Sequence, residues 1–373
     1  MLIGIDASRA NRALKSGTEW YSYYLILELA KIDRKNRYFL YTPEKLRGEL
    51  TNLPKNFEEK ILSWPPKKLW TMARLSFEML IAPLDLLFVP AHIIPIISPK
   101  NTLTAIHDLG FLRYPQFYSK KELKYHRFGL RQAIKKAIKI ITISEFSKKE
   151  LIELCCMPSE KIEVIYLGFS PKYKQILDRQ KTETILEKYH IPKNIPYILY
   201  IGRLEYKKNT PRLISAFAKF KKLNPELRHK LVLVGSFGVG KEEVFKNIKK
   251  YNLEKEVIMP GWIIEDDLSY ILSGASLFVF PSLYEGFGIP ILEAMAACVP
   301  VCAAARASIP EVAGRAALFF DPENEEEMAK SIEKILKNLN LQKELKEKGK
   351  KRASAFSWEK CARRTLKVLE SCR

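Results

Sequence analysis

Long apolar runs are missing from this chain. The most hydrophobic stretch, Leu84 to Pro99, is broken by Asp85, His92 and three prolines, short of the roughly 20 uninterrupted residues that a spanning helix needs. The amino terminus, Met1-Leu2-Ile3-Gly4-Ile5-Asp6, turns polar within six residues. That is too short for the apolar region of a secretory leader, and a cytoplasmic chain is the expectation. Cysteine is sparse and irregular: Cys155, Cys156, Cys298, Cys302, Cys361 and Cys372 fit neither a disulfide framework nor zinc spacings. Reduced thiols are expected. No Asp-x-Asp triplet occurs. The nearest approach, Glu265-Asp266-Asp267, reads as a helix cap for Leu268–Ala275, so neither a catalytic metal nor another cofactor is expected.

Charge of one sign is in excess. Sixty-three Lys and Arg against 42 Asp and Glu give a net +21, without a basic tail. Such a field favours nucleotides, phosphate-bearing acceptors, an acidic bilayer or nucleic acid as partners, and says little about fold. At 373 residues with 47% hydrophobic and 28% charged residues, the chain is globular and long enough for two domains of about 150–200 residues.

Short apolar runs alternate with helical patterns along both halves, the rhythm of a parallel sheet wrapped by helices. In the second half the expected strands are Tyr197–Ile201, Leu231–Val234, Val257–Met259, Leu277–Phe280, Pro300–Ala303 and Ala317–Phe320, with Thr210 as the N-cap and Pro211 as the first residue of a helix. In the first they are Leu2–Ile5, Tyr38–Tyr41, Leu86–Val89, Leu103–Ile106 and Ile140–Ile143, with helices over Glu19–Ile32 and Lys120–Lys139. The polar segment Ser170–Pro196 is the expected junction, so the domains read as 1–175 and 190–355, with a crevice between them.

Ligands of open parallel sheets sit beyond the carboxyl ends of strands, so the residues just after each strand matter most. After Leu277–Phe280 comes Pro281-Ser282-Leu283-Tyr284-Glu285-Gly286-Phe287-Gly288-Ile289, leading into a helix at Pro290. Two glycines let the backbone approach a ligand, and the new helix offers unpaired N–H groups to an anion. Glu285 and Glu293, eight positions apart, suit the paired hydroxyls of a ribose or hexose, although glutamates also favour helix starts for their own sake. After Tyr197–Ile201, the turn Gly202-Arg203-Leu204-Glu205-Tyr206-Lys207-Lys208-Asn209 supplies two cations that can neutralise a departing diphosphate. Taken alone, such a turn is usually solvated surface.

Together these motifs resemble the retaining glycosyltransferases of family 4, which have the fold called GT-B: α/β, two Rossmann-like domains facing each other across a cleft. The E-x7-E motif matches Glu285 and Glu293, with further likeness at Gly202–Asn209, Ser308–Gly314, Ile106–Leu109, Ser144–Ser147 and Phe356–Glu359. The resemblance implies Arg203 and Lys208 on the donor diphosphate, Glu293 on the ribose and Glu285 on the transferred sugar. It also implies the Phe287, Gly288 and Ile289 backbone against sugar and phosphates, and Ile263, in Gly261-Trp262-Ile263, beside the base. In the acceptor domain it implies His107 at the reaction centre and Gly17 in a glycine loop before the first helix, while residues 356–373 form a helix returning to that domain. On sequence alone a single histidine at a strand end is more often structural. One departure is Ala296-Ala297-Cys298-Val299-Pro300-Val301, which lacks the usual glycine, followed by Ala303-Ala304-Ala305 in place of polar residues.

The implied activity is transfer of a hexose from a nucleotide sugar, GDP-mannose first and UDP-glucose or another UDP-hexose next, to a glycan or lipid-linked acceptor. Two other readings compete. Gly235-Ser236-Phe237-Gly238-Val239-Gly240-Lys241 fits a P-loop, but Glu242 stands where Mg²⁺ binding needs Ser or Thr. Lys120, Lys121, Lys124, Arg127, Arg131, Lys135, Lys136 and Lys139 form a dense positive face, open to a solvated role, nucleic acid or an anionic membrane. The absence of helix-turn-helix, zinc or aromatic patterns argues against nucleic acid. The resemblance favours a peripheral position on the inner membrane face.

Overall fold

Central strands of a parallel sheet are covered on both faces and therefore read as continuous apolar runs. In the computed structural model, which describes residues 1–65, 69–176 and 178–372, those runs form two separate sheets in two compact units. One unit comprises Met1–Gly168 with Phe356–Arg373, the other Phe169–Ala355.

The first unit holds β1 (Leu2–Asp6), α1 (Gly17–Ile32), β2 (Arg37–Thr42), β3 (Phe57–Ile61), α2 (Arg74–Ile81), β4 (Leu86–Val89) and β5 (Thr102–Ile106). It continues with α3 (Gly110–Arg113), α4 (Lys120–Lys136), β6 (Lys139–Thr142), α5 (Glu145–Cys155) and β7 (Ile162–Val164). The seven strands are ordered β3-β2-β1-β4-β5-β6-β7, all parallel. β4 and β5 are buried at every position. β3, with Glu58, Glu59 and Lys60 in its five residues, and β7, three residues long, close the two edges. Edge strands carry charge because one side faces no partner, so β3 lacks a continuous apolar run, and β7 is too short to show one. The basic stretch is not one helix: α4 ends at Lys136 and Lys139 opens β6. Ala137 to Ile138 must turn there to enter the sheet.

The second unit runs α6 (Arg179–Lys188), β8 (Tyr197–Ile201), α7 (Thr210–Leu223), β9 (Lys230–Val234), α8 (Lys241–Lys250), β10 (Val257–Gly261), α9 (Glu265–Ser273) and β11 (Leu277–Phe280). It ends with α10 (Ile289–Ala296), β12 (Val301–Ala304), α11 (Ile309–Ala313), β13 (Leu318–Phe320), α12 (Glu325–Lys337) and α13 (Leu339–Ala353). Its six-stranded sheet has the order β10-β9-β8-β11-β12-β13, again parallel. Two capping expectations need correction. Asn209 in left-handed conformation, not Thr210, caps α7, with Pro211 in its first turn. α9 begins at Glu265, and Asp267 bonds Tyr189 and Lys188 at 2.8 and 2.6 Å instead of capping. That contact holds α6, inside the segment expected to be a junction, against α9 of the same unit.

The last helix, α14 (Trp358–Glu370), groups with the first unit. Trp358 stacks on Tyr24 at 5.3 Å and tilts against Tyr21 at 6.3 Å, tying α14 to α1. No helix among the described residues is long and apolar enough to cross a membrane. At Gly168 an added Cβ would stand 2.2 Å from the Trp358 backbone nitrogen, which no rotamer change relieves. Gly168→Ala is expected to lower unfolding stability by about 1–3 kcal/mol, the usual effect of overpacking. Urea denaturation reads it, and an unchanged midpoint would show that the α14 start yields freely.

Candidate functional site

In each sheet the strand order reverses once, and open α/β sheets place ligands outside the carboxyl ends at that reversal. In the second unit the reversal lies between β8 and β11. These are the strands that lead into Gly202–Asn209 and Pro281–Gly288.

Lys208 and Glu285 meet there. The ammonium lies 2.6 and 2.7 Å from the two carboxylate oxygens, with side chains 20% and 12% exposed. Residues assigned from sequence to different parts of a ligand therefore hold each other. Polar contacts lock the loop around them: Leu283 N–H donates to the Lys207 carbonyl at 3.0 Å, and Asn209 Nδ2 donates to Pro281 and Pro322 carbonyls at 3.1 and 2.7 Å. Ser308 Oγ, fully buried, donates to the carbonyls of Glu285 and Phe287 at 2.9 and 3.1 Å. Asn209 and Ser308 were visible only as members of matched motifs, with no role attached.

Arg203 is placed differently. Its side chain is 60% exposed, with Nε 3.4 Å from Glu205 Oε2, so it is the more available of the two cations. Phe287 is buried, and Gly288 caps α10 with φ +107, a left-handed conformation that Cβ-bearing residues adopt only at a penalty. Ile289 is the first residue of α10, one earlier than expected, and Pro290 stands in its first turn. The helix dipole and free N–H groups at this start favour negative charge.

Glu293 lies on α10, and its carboxyl has no hydrogen bond or ion pair among the described residues. Burial within surrounding protein, then the negative charge of Glu265, raise its carboxyl to about 8. Glu265 opens α9 directly after the turn bearing Ile263. Ile263 itself is buried, whereas Trp262 is 54% exposed. The turn's outward surface is thus the indole, not the residue singled out from sequence.

The glycine run after β9 has a packing role. Leu204 pairs with Phe237 as a parallel bridge, and Gly238 N–H donates to the Leu204 carbonyl at 2.9 Å. A Cβ at Gly235 would stand 2.0 Å from the Gly202 oxygen, and one at Gly238 2.2 Å from Glu205 Oε2. Lys241 lies over the Phe237 ring at 5.1 Å. The glycines thus let this loop seat against the Arg203 turn, which removes the ground for a P-loop.

In the first unit His107 follows β5 and is buried. Its Nε2 lies 3.2 Å from the Pro90 carbonyl; a carbonyl only accepts, so this nitrogen carries the proton. Burial lowers the pKa despite that bond, leaving a neutral ring with Nδ1 as acceptor. The motif from Ser144 to Ser147 supports it: Ser144 caps α5, and Ser147 Oγ donates to the His107 carbonyl at 3.2 Å. Gly17 is the first residue of α1, and a Cβ there would meet nothing within 4 Å. The signal at this helix start is Glu19 instead. Burial raises its pKa, but the Ser16 hydroxyl and Arg9 and Arg12, at 3.2 and 3.4 Å, outweigh this and hold the carboxyl low.

Residues 15–173 match the model described as Glycosyltransferase Family 4, and residues 181–352 match that of Glycosyl transferases group 1. The O-antigen chain mannosyltransferase B of Escherichia coli is 31% identical over 269 residues, covering 72% of this chain and 69% of that one. The serotype-specific mannosyltransferase WbdA of Escherichia coli is 28% identical over 279 residues, 71% of this chain but only 32% of its own length. Anabaena Alr3699/HepE, solved in complex with UDP and glucose, superposes with a TM-score of 0.75 over 99% of both chains at 20% identity. That last likeness bears on fold, which is GT-B.

The state of Glu293 is open to a direct check. Its folded-state carboxyl holds a proton from the ordinary 4.5 up to about 8, so between those limits the native chain binds more protons than the unfolded one, and stability falls as pH rises. Glu293→Gln removes that dependence. The melting temperature of the variant relative to the parent is expected to climb from pH 4.5 to 8 and level off above; a flat difference would mean an ordinary exposed carboxylate.

Proposed function

The chain belongs to the glycosyltransferases and is a hexosyltransferase, and on that premise we propose that it is a retaining mannosyltransferase using GDP-mannose. The acceptor is a growing polysaccharide or lipid-linked glycan, as the name of the O-antigen chain relative suggests. A UDP-hexose is the next candidate, supported by the UDP complex of a protein of the same fold. The observation that carries the reading is the Lys208–Glu285 pair at the β8/β11 reversal, beside Arg203 and the α10 start.

In this reading the donor diphosphate takes the ammonium of Lys208 away from Glu285. The freed carboxylate then accepts hydrogen bonds from the transferred sugar. Arg203 and the N–H groups at Gly288 and Ile289 share the phosphate charge, Glu293 meets the ribose, and Ile263 lies on the base side. The acceptor oxygen bonds to the anomeric carbon as the carbon–phosphate oxygen bond breaks. The electron pair leaves with the diphosphate, which takes up the hydroxyl proton. His107 and the Gly17 loop serve from the acceptor domain. Attack on the same face as departure needs no covalent nucleophile, and no residue is nominated as one. No metal is required in this scheme.

The partner surface we infer is an anionic membrane. α4 carries the basic face, and the loop that its Lys136 bonds carries exposed apolar residues, Ile96 at 45% and Ile97 at 43%, while Leu80 and Ile81 on α2 are each 62% exposed. Ile97 N–H donates to Ser76 of α2 at 3.2 Å, and Lys136 of α4 donates to the Ile96 carbonyl, so the loop links the two helices. Apolar contact beside basic side chains suits peripheral binding. The chain is expected to pellet with vesicles containing anionic phosphatidylglycerol, not with pure phosphatidylcholine, and to lose binding in Leu80→Asp/Ile81→Asp. Equal recovery with both vesicles would exclude it.

Leaving-group stabilisation is tested at Lys208. Lys208→Ala should lower kcat by about 10²–10³, as expected for loss of one fixed charge donor. It also strands a part-buried carboxylate. The double variant Lys208→Ala/Glu285→Gln should regain the lost thermal stability without regaining turnover, and full activity in either would sink the assignment. Thermal shift with GDP, UDP and ADP sugars identifies the donor, since a ligand of the native state raises stability.

A further inference from the structure

The first unit's sheet reverses its order between β1 and β4, so its own ligand-bearing edge lies where those strands end. Asp6 is the last residue of β1, His92 lies three positions beyond β4, and His107 follows β5, the next strand. The two imidazole centres are 5.5 Å apart. Asp6 and His107 have evident structural partners: Asp6 accepts from the Ser8 N–H at 3.0 Å and the Thr71 hydroxyl at 2.8 Å, and His107 donates to Pro90.

His92 does not. Neither ring nitrogen has a hydrogen bond among the described residues, yet the side chain is only partly exposed. Burial, then His107, hold its pKa down at about 3; His126 and Arg9 add to this, and Asp108 opposes it. The ring is therefore neutral, with one N–H donor and one acceptor nitrogen. The ring nitrogens are not among the buried unpaired atoms, so they open to the solvent side of the sheet edge, and a sugar hydroxyl, itself both donor and acceptor, matches a neutral imidazole.

We propose that His92 is an acceptor-binding residue, exchanging hydrogen bonds with a hydroxyl of the acceptor sugar adjacent to the one that attacks. This rests on the glycosyltransferase reading, with the acceptor in the first unit, and adds a specificity determinant that the sequence motifs did not mark. His92 takes no proton during transfer. It fixes the acceptor ring beside His107.

The test uses the full chain, GDP-mannose and octyl α-mannopyranoside, with octyl α-gluco- and α-galactopyranoside as alternatives. His92→Ala should lower kcat/KM for the accepted glycoside about ten- to a hundredfold, the range for one lost buried hydrogen-bonded contact. The thermal shift by GDP-mannose and its slow hydrolysis should stay at parental levels. His92→Asn, whose amide also donates and accepts, should restore part of the loss. Among monodeoxy versions of the glycoside, one should impair the parent and leave His92→Ala no worse. Unchanged kcat/KM for the glycoside, or an equal fall in donor hydrolysis, overturns the assignment of His92. Donor hydrolysis without transfer to any glycoside overturns a sugar acceptor in the first unit, and binding of no nucleotide sugar overturns the reading beneath both.

Discussion

The Lys208–Glu285 ion pair joins the turn after β8 to the loop after β11, and the rest of the second unit's carboxyl edge is arranged around it. Those strands are neighbours in space but separated in sequence by two further strands, so nothing local holds the turn and loop in register. A part-buried pair stabilises modestly when complete, whereas leaving either partner alone is strongly unfavourable. The surrounding contacts keep it complete. Asn209 reaches the Pro281 and Pro322 carbonyls, and Ser308 holds the Glu285 and Phe287 carbonyls. Both are side chains spent on backbone groups that the irregular loop would otherwise leave unpaired.

The first unit meets the same demand by other means. Its strand ends are fixed by Ser147 on the His107 carbonyl and by Glu19, which gathers Ser16, Arg9 and Arg12 at the start of α1. A buried carboxylate with two guanidinium partners organises the loop between β1 and α1. Gly17 has open space around it, so its small size is not demanded by packing within this unit.

Much of this was legible in the sequence because periodicity and burial coincide. β4, β5, β8 and β11 are buried throughout or nearly so, and each was read as an apolar run with correct limits to within a residue. β3 and β7 were not, since an edge strand such as Phe57–Ile61 carries charge and Ile162–Val164 is too short to show a period. At the candidate site the residue types were readable and their pairings were not. Nothing in the spacing from Lys208 to Glu285 announces an ion pair, because it depends on which strands become neighbours. The same holds for His92, which lay inside a proline-broken apolar run and is brought beside His107 only by the pairing of β4 with β5.

Charge at the second unit's edge is balanced within the protein, and this bears on which ligands the proposed function allows. Two carboxylates beside a helix start would repel a diphosphate if both were bare. Glu285 is matched by Lys208, Glu205 lies beside Arg203, and Glu293 keeps a proton up to about pH 8. The acids are thereby silenced while Arg203 stays largely exposed and the α10 N–H groups remain at the sheet edge. In the proposed reading, an anion approaching at neutral pH meets a net attractive surface and competes with Glu285 for Lys208 instead of facing Glu285 directly. In that exchange Glu285 gives up its cation, so the freed carboxylate depends on hydrogen bonds from the incoming sugar, charge-assisted contacts that offset the loss of the ion pair only when the sugar is in place.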